Sequence, residues 1–208
     1  MIYHLSQQYG GLWYLKPEIF ANKPEKKLIH PNIIDDLKKE FLRSKEIFAK
    51  KFREDCKDKD PDAWIIFEVA TFGTLSKLYE ISLHQLPEKS MIANEFGLHL
   101  HNDLSSWLES ISYIRNVIAH HSRIFGRNII KRPVLTTKTR NKWLEMKITE
   151  NQEKKPFVII AIMIYLCNSI NPKNKIKEKL LNLFKNNPNI PFEKLGFTNN
   201  WREEAFWK

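Results

Sequence analysis

The residues best suited to chemistry lie between Tyr113 and Arg127, in the segment YIRNVIAHHSRIFGR. This segment brings together two adjacent histidines, an asparagine and several arginines. A histidine titrates near neutral pH and can act as a general base or a general acid. An arginine can donate two hydrogen bonds to a phosphoryl group and stabilise the charge that develops on it. These groups would suffice, without metal or cofactor, to cleave RNA by attack of its own 2′-hydroxyl, which DNA lacks.

We assign the catalytic roles to three residues of this segment. Arg115 would bind phosphoryl oxygens, His120 would move the proton, and Asn116 would fix a phosphate or the imidazole from its i, i+4 position. His121 lies at the edge of the apolar residues and is the alternative catalytic histidine, although we favour it as a supporting neighbour. The alternative interpretation of the whole segment is a polar helix face that docks a partner.

An amphipathic helix is predicted to carry this segment. Asn102 or Asp103 could cap its start, and Gly126 is a plausible stop. Its apolar residues recur at helical spacing and should face a core, as one stripe made of Leu104, Trp107, Ile111, Ile114, Ile118 and Phe125.

The same helix would align its polar residues on a second face, made of Asn116, His120, Arg123 and Arg127. Arg115 is five residues before His120, so the two side chains would leave an ideal helix ~140° apart. A two-fold axis would solve this by bringing Arg115 of one copy towards His120 of another. We therefore expect a homodimer with a composite site.

Three stretches of the chain resemble known families. Arg115-Asn116-x-x-x-His120 resembles the R-x4-6-H motif of HEPN-domain ribonucleases, and RNVIAHHSRIFGR resembles the longer motif string of Abi-like proteins, the abortive infection proteins of the AbiD and AbiF type. The stretch WIIFEVATFGTLSKLY, residues 64–79, is similar to a second segment of that family. Residues 195–201, LGFTNNW, followed by Phe206-Trp207, resemble its closing element.

The resemblance implies an RNA-directed, growth-arresting toxin that acts in phage defence by abortive infection. It also implies a dimer, and a structured small RNA as partner or antitoxin. The expected fold is a HEPN-like helical bundle, a single domain over residues 1–208 with an initial segment 1–30 and a helical core 31–208. The sequence departs from the family in two respects: Phe125-Gly126 stands where Trp-Asn is common, and an additional N-terminal region of the family is expected to be absent.

Other polar residues could support or compete with this site. Glu68 falls within an apolar run, and a buried carboxylate needs a partner or a proton. It would either brace a neighbouring helix or orient His121 or Arg115. His99-x-His101 raises the possibility of a metal site, but its spacing matches no recognised ligand set, and we predict no metal.

Residues 123–147, here called the basic segment, overlap the end of the motif and follow it. The whole chain has a net charge of +10 and an isoelectric point of about 9.5. Such charge favours polyanionic partners, although a generally basic proteome would also produce it. Trp143 within this segment would either stack on a base or anchor a solvated loop to the core. The candidate RNA-binding residues are Arg123, Arg127, Lys131, Arg132, Lys138, Arg140 and Lys142.

The remaining pattern predicts an all-α fold with a basic irregular insertion after the motif helix and an aromatic C-terminal strap. The strap would comprise Phe192, Leu195, Phe197, Trp201, Phe206 and Trp207. Further helices are expected at residues 31–54, 61–82, 87–97, 157–170 and 173–187.

Composition excludes some classes of protein. Cys56 and Cys167 form no disulfide framework or zinc motif, which is typical of a reduced, cytoplasmic protein. The longest apolar stretch, residues 157–167, is too short to span a membrane, and no signal peptide is evident. The predicted function is a metal-independent endoribonuclease. A non-catalytic module that binds a structured small RNA is the main alternative, and a protein-interacting scaffold is a weaker one.

Overall fold

The computed structural model describes residues 1–20, 29–136 and 138–208 of the chain. All regular elements among these residues are helical, and strand-like pairing is limited to two isolated bridges, Phe20 with Ser82 and Leu98 with Thr139. The all-α prediction is therefore confirmed for the described residues. The α-helices are α1 Ile2–Tyr9, α2 Ile29–Arg43, α3 Ile47–Asp55, α4 Ala63–Ile66, α5 Phe72–Ile81, α6 Pro87–Glu95, α7 His101–Ala119, α8 Glu150–Glu153, α9 Pro156–Ile170 and α10 Ile176–Asn186.

The chain divides into two compact units, Met1–Ile92 and Ala93–Lys208. The core of the first unit is built around the aromatic ring of Trp13, which stacks on Phe67 with ring centroids 5.4 Å apart. The hydroxyl of Tyr14 beside them donates to the carbonyl oxygen of Pro61 at 2.7 Å. The helix α2 packs against α5, and α1 against α4, within this unit.

The prediction of a single helix over residues 31–54 is wrong, because the helix is interrupted between Arg43 and Ile47. Ser44 Oγ accepts a hydrogen bond from the backbone N–H of Glu46 at 3.2 Å, a local turn that competes with helix. The guanidinium of Arg53 then donates to the carbonyl oxygens of Phe41 and Ser44, which lie at the end of α2. Such capping satisfies helix carbonyls that have no partner within the helix.

The helix predicted over residues 61–82 is also interrupted. A 3₁₀ turn, Phe67–Val69, follows α4, and Thr71 then caps α5 by accepting from the N–H of Thr74 at 3.1 Å. The interruption turns Trp64 outward, with 62% of its surface exposed. Glu68 is exposed as well, so the expectation that its carboxylate is buried is wrong.

The second unit is built around two long helices, α7 and α9, which pack against each other. Helices α9 and α10 confirm two of the predicted segments, except that α10 begins at Ile176. The C-terminal aromatic side chains pack on these helices: the ring of Phe197 lies 4.8 Å from that of Phe157 in α9 and 5.3 Å from that of Phe184 in α10. Trp201 is buried beside them.

The helix predicted over residues 87–97 ends at Glu95 as α6, through a regular hydrogen-bonding pattern. Gly97 has a φ of +73°, and its N–H donates to the carbonyl oxygen of Asn94 at 2.9 Å. The N–H of Leu98 donates to Ala93 at 3.0 Å. These are the two bonds of a Schellman motif, with glycine at its left-handed position.

Candidate functional site

Helix α7 carries the motif and ends seven residues before Gly126, where the sequence predicted its end. Helix α7 stops at Ala119, and His120 follows as its capping residue with a φ of −89°. His121 has a φ of +52°, and its N–H donates to the carbonyl oxygen of Ile118 at 2.9 Å. The N–H of Ser122 donates to Val117 at 3.0 Å, so α7 also ends in a Schellman motif.

This early stop overturns the predicted second face of the helix. Arg123 and Arg127 lie beyond the helix and cannot continue a row from Asn116 and His120. The physical reason is packing further along the chain: Ile129 is buried against Ile114 and Ile159. A helix that continued would move each further residue 1.5 Å along its axis, away from Ile114.

His120 leaves the helical conformation through its ψ of 19°, but the direction of its side chain depends on φ. Its φ of −89° differs by only about 26° from a helical value. The ~140° offset from Arg115 that five helical residues produce therefore still applies approximately. The two side chains start from different sides of the helix end.

The motif residues are open to solvent. Arg115, Asn116, His120 and His121 are all exposed. The Nη1 of Arg115 donates to the Oδ1 of Asn116 at 3.1 Å, which holds the guanidinium over the neighbouring amide. These groups are accessible to a large polyanion at the carboxyl-terminal end of α7.

An apolar residue shares this exposed end of the helix. Ile118 was predicted to face the core, but 53% of its surface is exposed. Leu104, Trp107 and Ile114 of the predicted stripe are buried as expected. Ile118 is three residues after Arg115 and therefore lies on the same side of α7.

The basic segment after the motif presents most of its cations to solvent. Lys131 forms an ion pair with Glu109 of α7, with Nζ and Oε1 2.6 Å apart. The pKa of the exposed Glu150 carboxyl is lowered, mainly by its hydrogen bond and charge interaction with Lys154 and to a smaller extent by Arg132. Arg127 is half-buried, and the exposed candidates are Arg123, Lys131, Arg132, Lys138, Arg140 and Lys142.

Side chains of α7 hold this segment through one residue. The indole N–H of Trp107 donates to the carbonyl oxygen of Val134 at 2.9 Å, and Ser106 Oγ accepts from the N–H of Val134 at 2.9 Å. Lys155 at the start of α9 adds a second attachment, because its Nζ donates to Gly126 O at 3.1 Å and Asn128 Oδ1 at 2.8 Å. Sequence reasoning missed these attachments, since 27–29 residues separate the partners and no local pattern marks them.

Trp143 anchors the segment to the core. Only 8% of its surface is exposed, and its ring lies 4.9 Å from Trp107, 5.6 Å from Tyr165 and 5.7 Å from Phe206. The alternative that Trp143 stacks on a base is therefore wrong. Burial also raises the pKa of the Tyr165 hydroxyl, which donates to the carbonyl oxygen of Gly97 at 3.0 Å.

The other predicted site features are placed as follows. Glu68 lies in the first unit and the motif in the second, so its action on His121 or Arg115 stays a prediction. In the described part of the chain, no three His, Cys, Asp or Glu side chains cluster in a way that could hold a metal ion. Residues 1–20, 29–136 and 138–208 also include no helix with the length and apolarity needed to cross a bilayer.

Comparison with known proteins identifies the family. A family model described as Abi-like protein matches residues 1–126, more than half of the chain. The matched range includes residues 64–79 and the motif as far as Gly126, whereas the C-terminal stretch from Leu195 lies outside it. No curated protein and no solved structure matches the chain. The chain therefore belongs to the Abi-like protein family, and this membership suggests a role in abortive infection, a form of phage defence.

Proposed function

We propose that this protein is an endoribonuclease of the HEPN type that acts without a metal ion in abortive infection, as an RNA-regulated toxin. The observation that carries the proposal is the exposed group formed by Arg115, Asn116 and His120 at the end of α7. A general acid–base group and a phosphate-binding group are the minimum that cleavage by a 2′-hydroxyl requires.

Each motif residue has a distinct role in this reaction. The 2′-oxygen bonds to phosphorus as the bond to the 5′-oxygen breaks; His120 takes the proton from the 2′-hydroxyl while water protonates the 5′-oxygen, or the two exchange these tasks, and the exposure of His120 lets it reach the RNA. The guanidinium of Arg115 donates to the non-bridging phosphoryl oxygens and stabilises their charge in the transition state. Asn116 orients that guanidinium through the hydrogen bond between Oδ1 and Nη1. The products are a 2′,3′-cyclic phosphate and a 5′-hydroxyl.

The basic segment supplies the binding surface. Its exposed cations contact phosphates and position the strand, while carrying no sequence information themselves. The start of the segment is held by Lys155 at Gly126 and Asn128, directly after the motif, so RNA bound to its first cations lies next to the motif. A structured small RNA that occupies this surface would keep the toxin inactive.

The site is completed by a second copy of the chain. His120 and Arg115 start from different sides of α7, so one copy's Arg115 would serve the other copy's His120 across a two-fold axis. The exposed Ile118 on the Arg115 side of the helix provides an apolar contact for such a homodimer.

The test is incubation of purified protein with RNA in EDTA. The wild type should release fragments with 2′,3′-cyclic phosphate ends, and His120→Ala should lower the rate by about 10²- to 10⁴-fold, the usual contribution of a general acid or base. Arg115→Ala should also abolish cutting. The matched controls are His99→Ala and Arg43→Ala, which remove an exposed histidine and an exposed arginine outside the motif and should cleave normally. Undiminished cutting by His120→Ala would reject the proposal.

A mixing experiment tests the composite site. Arg115→Ala and His120→Ala homodimers should each be inactive, but subunit exchange yields about half heterodimers, each with one intact site of two. Their mixture should therefore recover about a quarter of wild-type activity. Recovery should be lost when both chains also carry Ile118→Glu. A mixture that stays inactive despite verified exchange would show that the two residues do not act across the dimer.

The second candidate function is a non-catalytic module that binds a structured small RNA. The exposed cations of the basic segment favour it independently of the motif. It predicts tight RNA binding that weakens steeply with salt, and intact RNA after long incubation.

A further inference from the structure

Two helix ends within Ala93–Lys208 share one hydrogen-bonding pattern. At the end of α6, Gly97 occupies the left-handed position of the Schellman motif, with a φ of +73°. At the end of α7, the equivalent position is occupied by His121, with a φ of +52°. The chain therefore builds the same turn once with glycine and once with a residue that carries a full side chain.

This choice of residue is unfavourable for the backbone. The left-handed region brings Cβ close to the following carbonyl oxygen, and glycine avoids the contact because it has no Cβ. Histidine is found there more often than most residues, but still uncommonly. Strained backbone of this kind persists when the surrounding structure holds it, and it is concentrated at functional sites.

The position of His120 depends on the backbone conformation of His121. His120 is held at the helix end by its own N–H bond to the carbonyl oxygen of Asn116, and the turn closes after it through the N–H groups of His121 and Ser122. If residue 121 leaves the left-handed region, the last two bonds open. The helix end then frays and His120 loses a fixed position relative to Asn116.

We propose that His121 is a positioning residue that serves the site through its backbone, and that its imidazole takes no part in the reaction. The left-handed conformation ends α7 and presents His120 at the helix terminus. This inference deepens the proposed function, on which its activity measurement depends. It also assigns the two adjacent histidines different tasks, the first chemical and the second conformational.

The experiment is a series of substitutions at position 121: His121→Gly, His121→Asn, His121→Ala and His121→Val. A backbone role predicts that thermal stability and RNA cleavage both follow the tendency to adopt the left-handed region, with glycine highest and valine lowest. The conformational penalty corresponds to about five- to thirtyfold in the population of the closed turn between glycine and an ordinary residue. His121→Gly should therefore cleave within about twofold of the wild type, whereas His121→Val should lose about tenfold.

Amide hydrogen exchange reports the turn without reference to activity. The N–H groups of residues 121 and 122 should exchange more slowly in His121→Gly than in the wild type, and faster in His121→Val. Asp58 provides a matched control, because it also has a positive φ, +67°, and lies in the other unit. Asp58→Gly should raise stability relative to Asp58→Ala and leave cleavage unchanged.

Three results decide the inference and separate it from the proposed function. If His121→Gly folds with a protected turn and yet loses cleavage as completely as His120→Ala, the imidazole of His121 is chemically required and the inference is overturned. If all four variants share the stability and the amide exchange of the wild type, the conformational role is overturned. If the wild type cuts no RNA, the proposed function fails, while the stability and exchange order still decides the role of His121.

Discussion

Replacing Trp107 by phenylalanine tests whether the attachment of the basic segment matters for RNA binding. The indole ring of Trp107 is fully buried, and its N–H donates to the carbonyl oxygen of Val134 at 2.9 Å. Phenylalanine keeps an aromatic ring next to Trp143 but cannot donate that bond. The change therefore removes one attachment of the segment at Val134, where Ser106 Oγ still accepts from the backbone N–H, and it retains every positive charge.

The expected loss of stability has two parts. Leaving the Val134 carbonyl without its partner costs about 1–2 kcal/mol, and the smaller ring leaves a cavity that costs about 1–2 kcal/mol more. The free energy of unfolding should thus fall by about 2–4 kcal/mol. For a chain of this size, that corresponds to a drop in Tm of roughly 5–15 °C.

Trp13 offers a matched control in the first unit. It is equally buried, but its indole N–H has no acceptor among the described residues. Trp13→Phe should therefore cost only the cavity contribution, about 1–2 kcal/mol, and leave RNA affinity unchanged.

The assays are calorimetric unfolding and RNA binding at two salt concentrations, measured well below Tm. Trp107→Phe should bind RNA more weakly than Trp13→Phe does. The salt dependence should also become shallower, because fewer cations contact phosphate at once. Equal stability losses in the two variants, together with equal RNA affinities, would refute the reasoning.

Two further predictions concern buried and bridging groups. The Tyr79 hydroxyl donates a hydrogen bond to the carbonyl oxygen of Lys89 at 2.9 Å, and burial raises the pKa of that hydroxyl. The stability that this group contributes is therefore present below about pH 10 and falls at higher pH, where the tyrosine of the unfolded chain ionises. Tyr79→Phe should lower the free energy of unfolding at pH 7 by about 1–3 kcal/mol, seen as unfolding at a lower urea concentration. Between pH 9 and 11 the variant should lose less stability than the wild type, and parallel curves of stability against pH would contradict this. Lys155→Met should accelerate amide exchange in the loop held at Gly126 and should weaken RNA binding. Lys154→Met removes the same charge from the neighbouring position and should have smaller effects on both. Equal effects of the two changes would show that only the charge of these lysines matters for RNA binding.

The sequence determined those elements whose signals are local. The apolar run of α9 begins at Pro156 and ends before Pro172, and its length exceeds that of most buried strands, which favours a helix. The C-terminal aromatic residues could be assigned to a packed strap. The motif at Arg115 and His120 could be identified because its residue types are costly to bury and useful when exposed.

The helix interruptions could not be read from periodicity. The pattern over residues 31–54 is continuous, but Ser44 forms a local turn and Arg53 caps the resulting helix end. Trp143 shows the same limit, since its sequence neighbours are charged while its ring packs among distant aromatic side chains. The burial of Trp143 depends on partners far along the chain, whereas the helix break depends on a turn at Ser44 and on Arg53, 9 and 12 residues from its two acceptors.

By itself, the sequence determined an all-α chain with an exposed arginine–histidine motif at a helix and a basic segment after it. Only the tertiary structure shows where that helix stops, because burial of Ile129 against Ile114 requires a turn between them, and the chain makes it after Ala119. The turn places His121 in a conformation that no helical pattern predicts. It also separates Arg123 and Arg127 from the motif face, since residues beyond a left-handed position no longer follow the helical spacing.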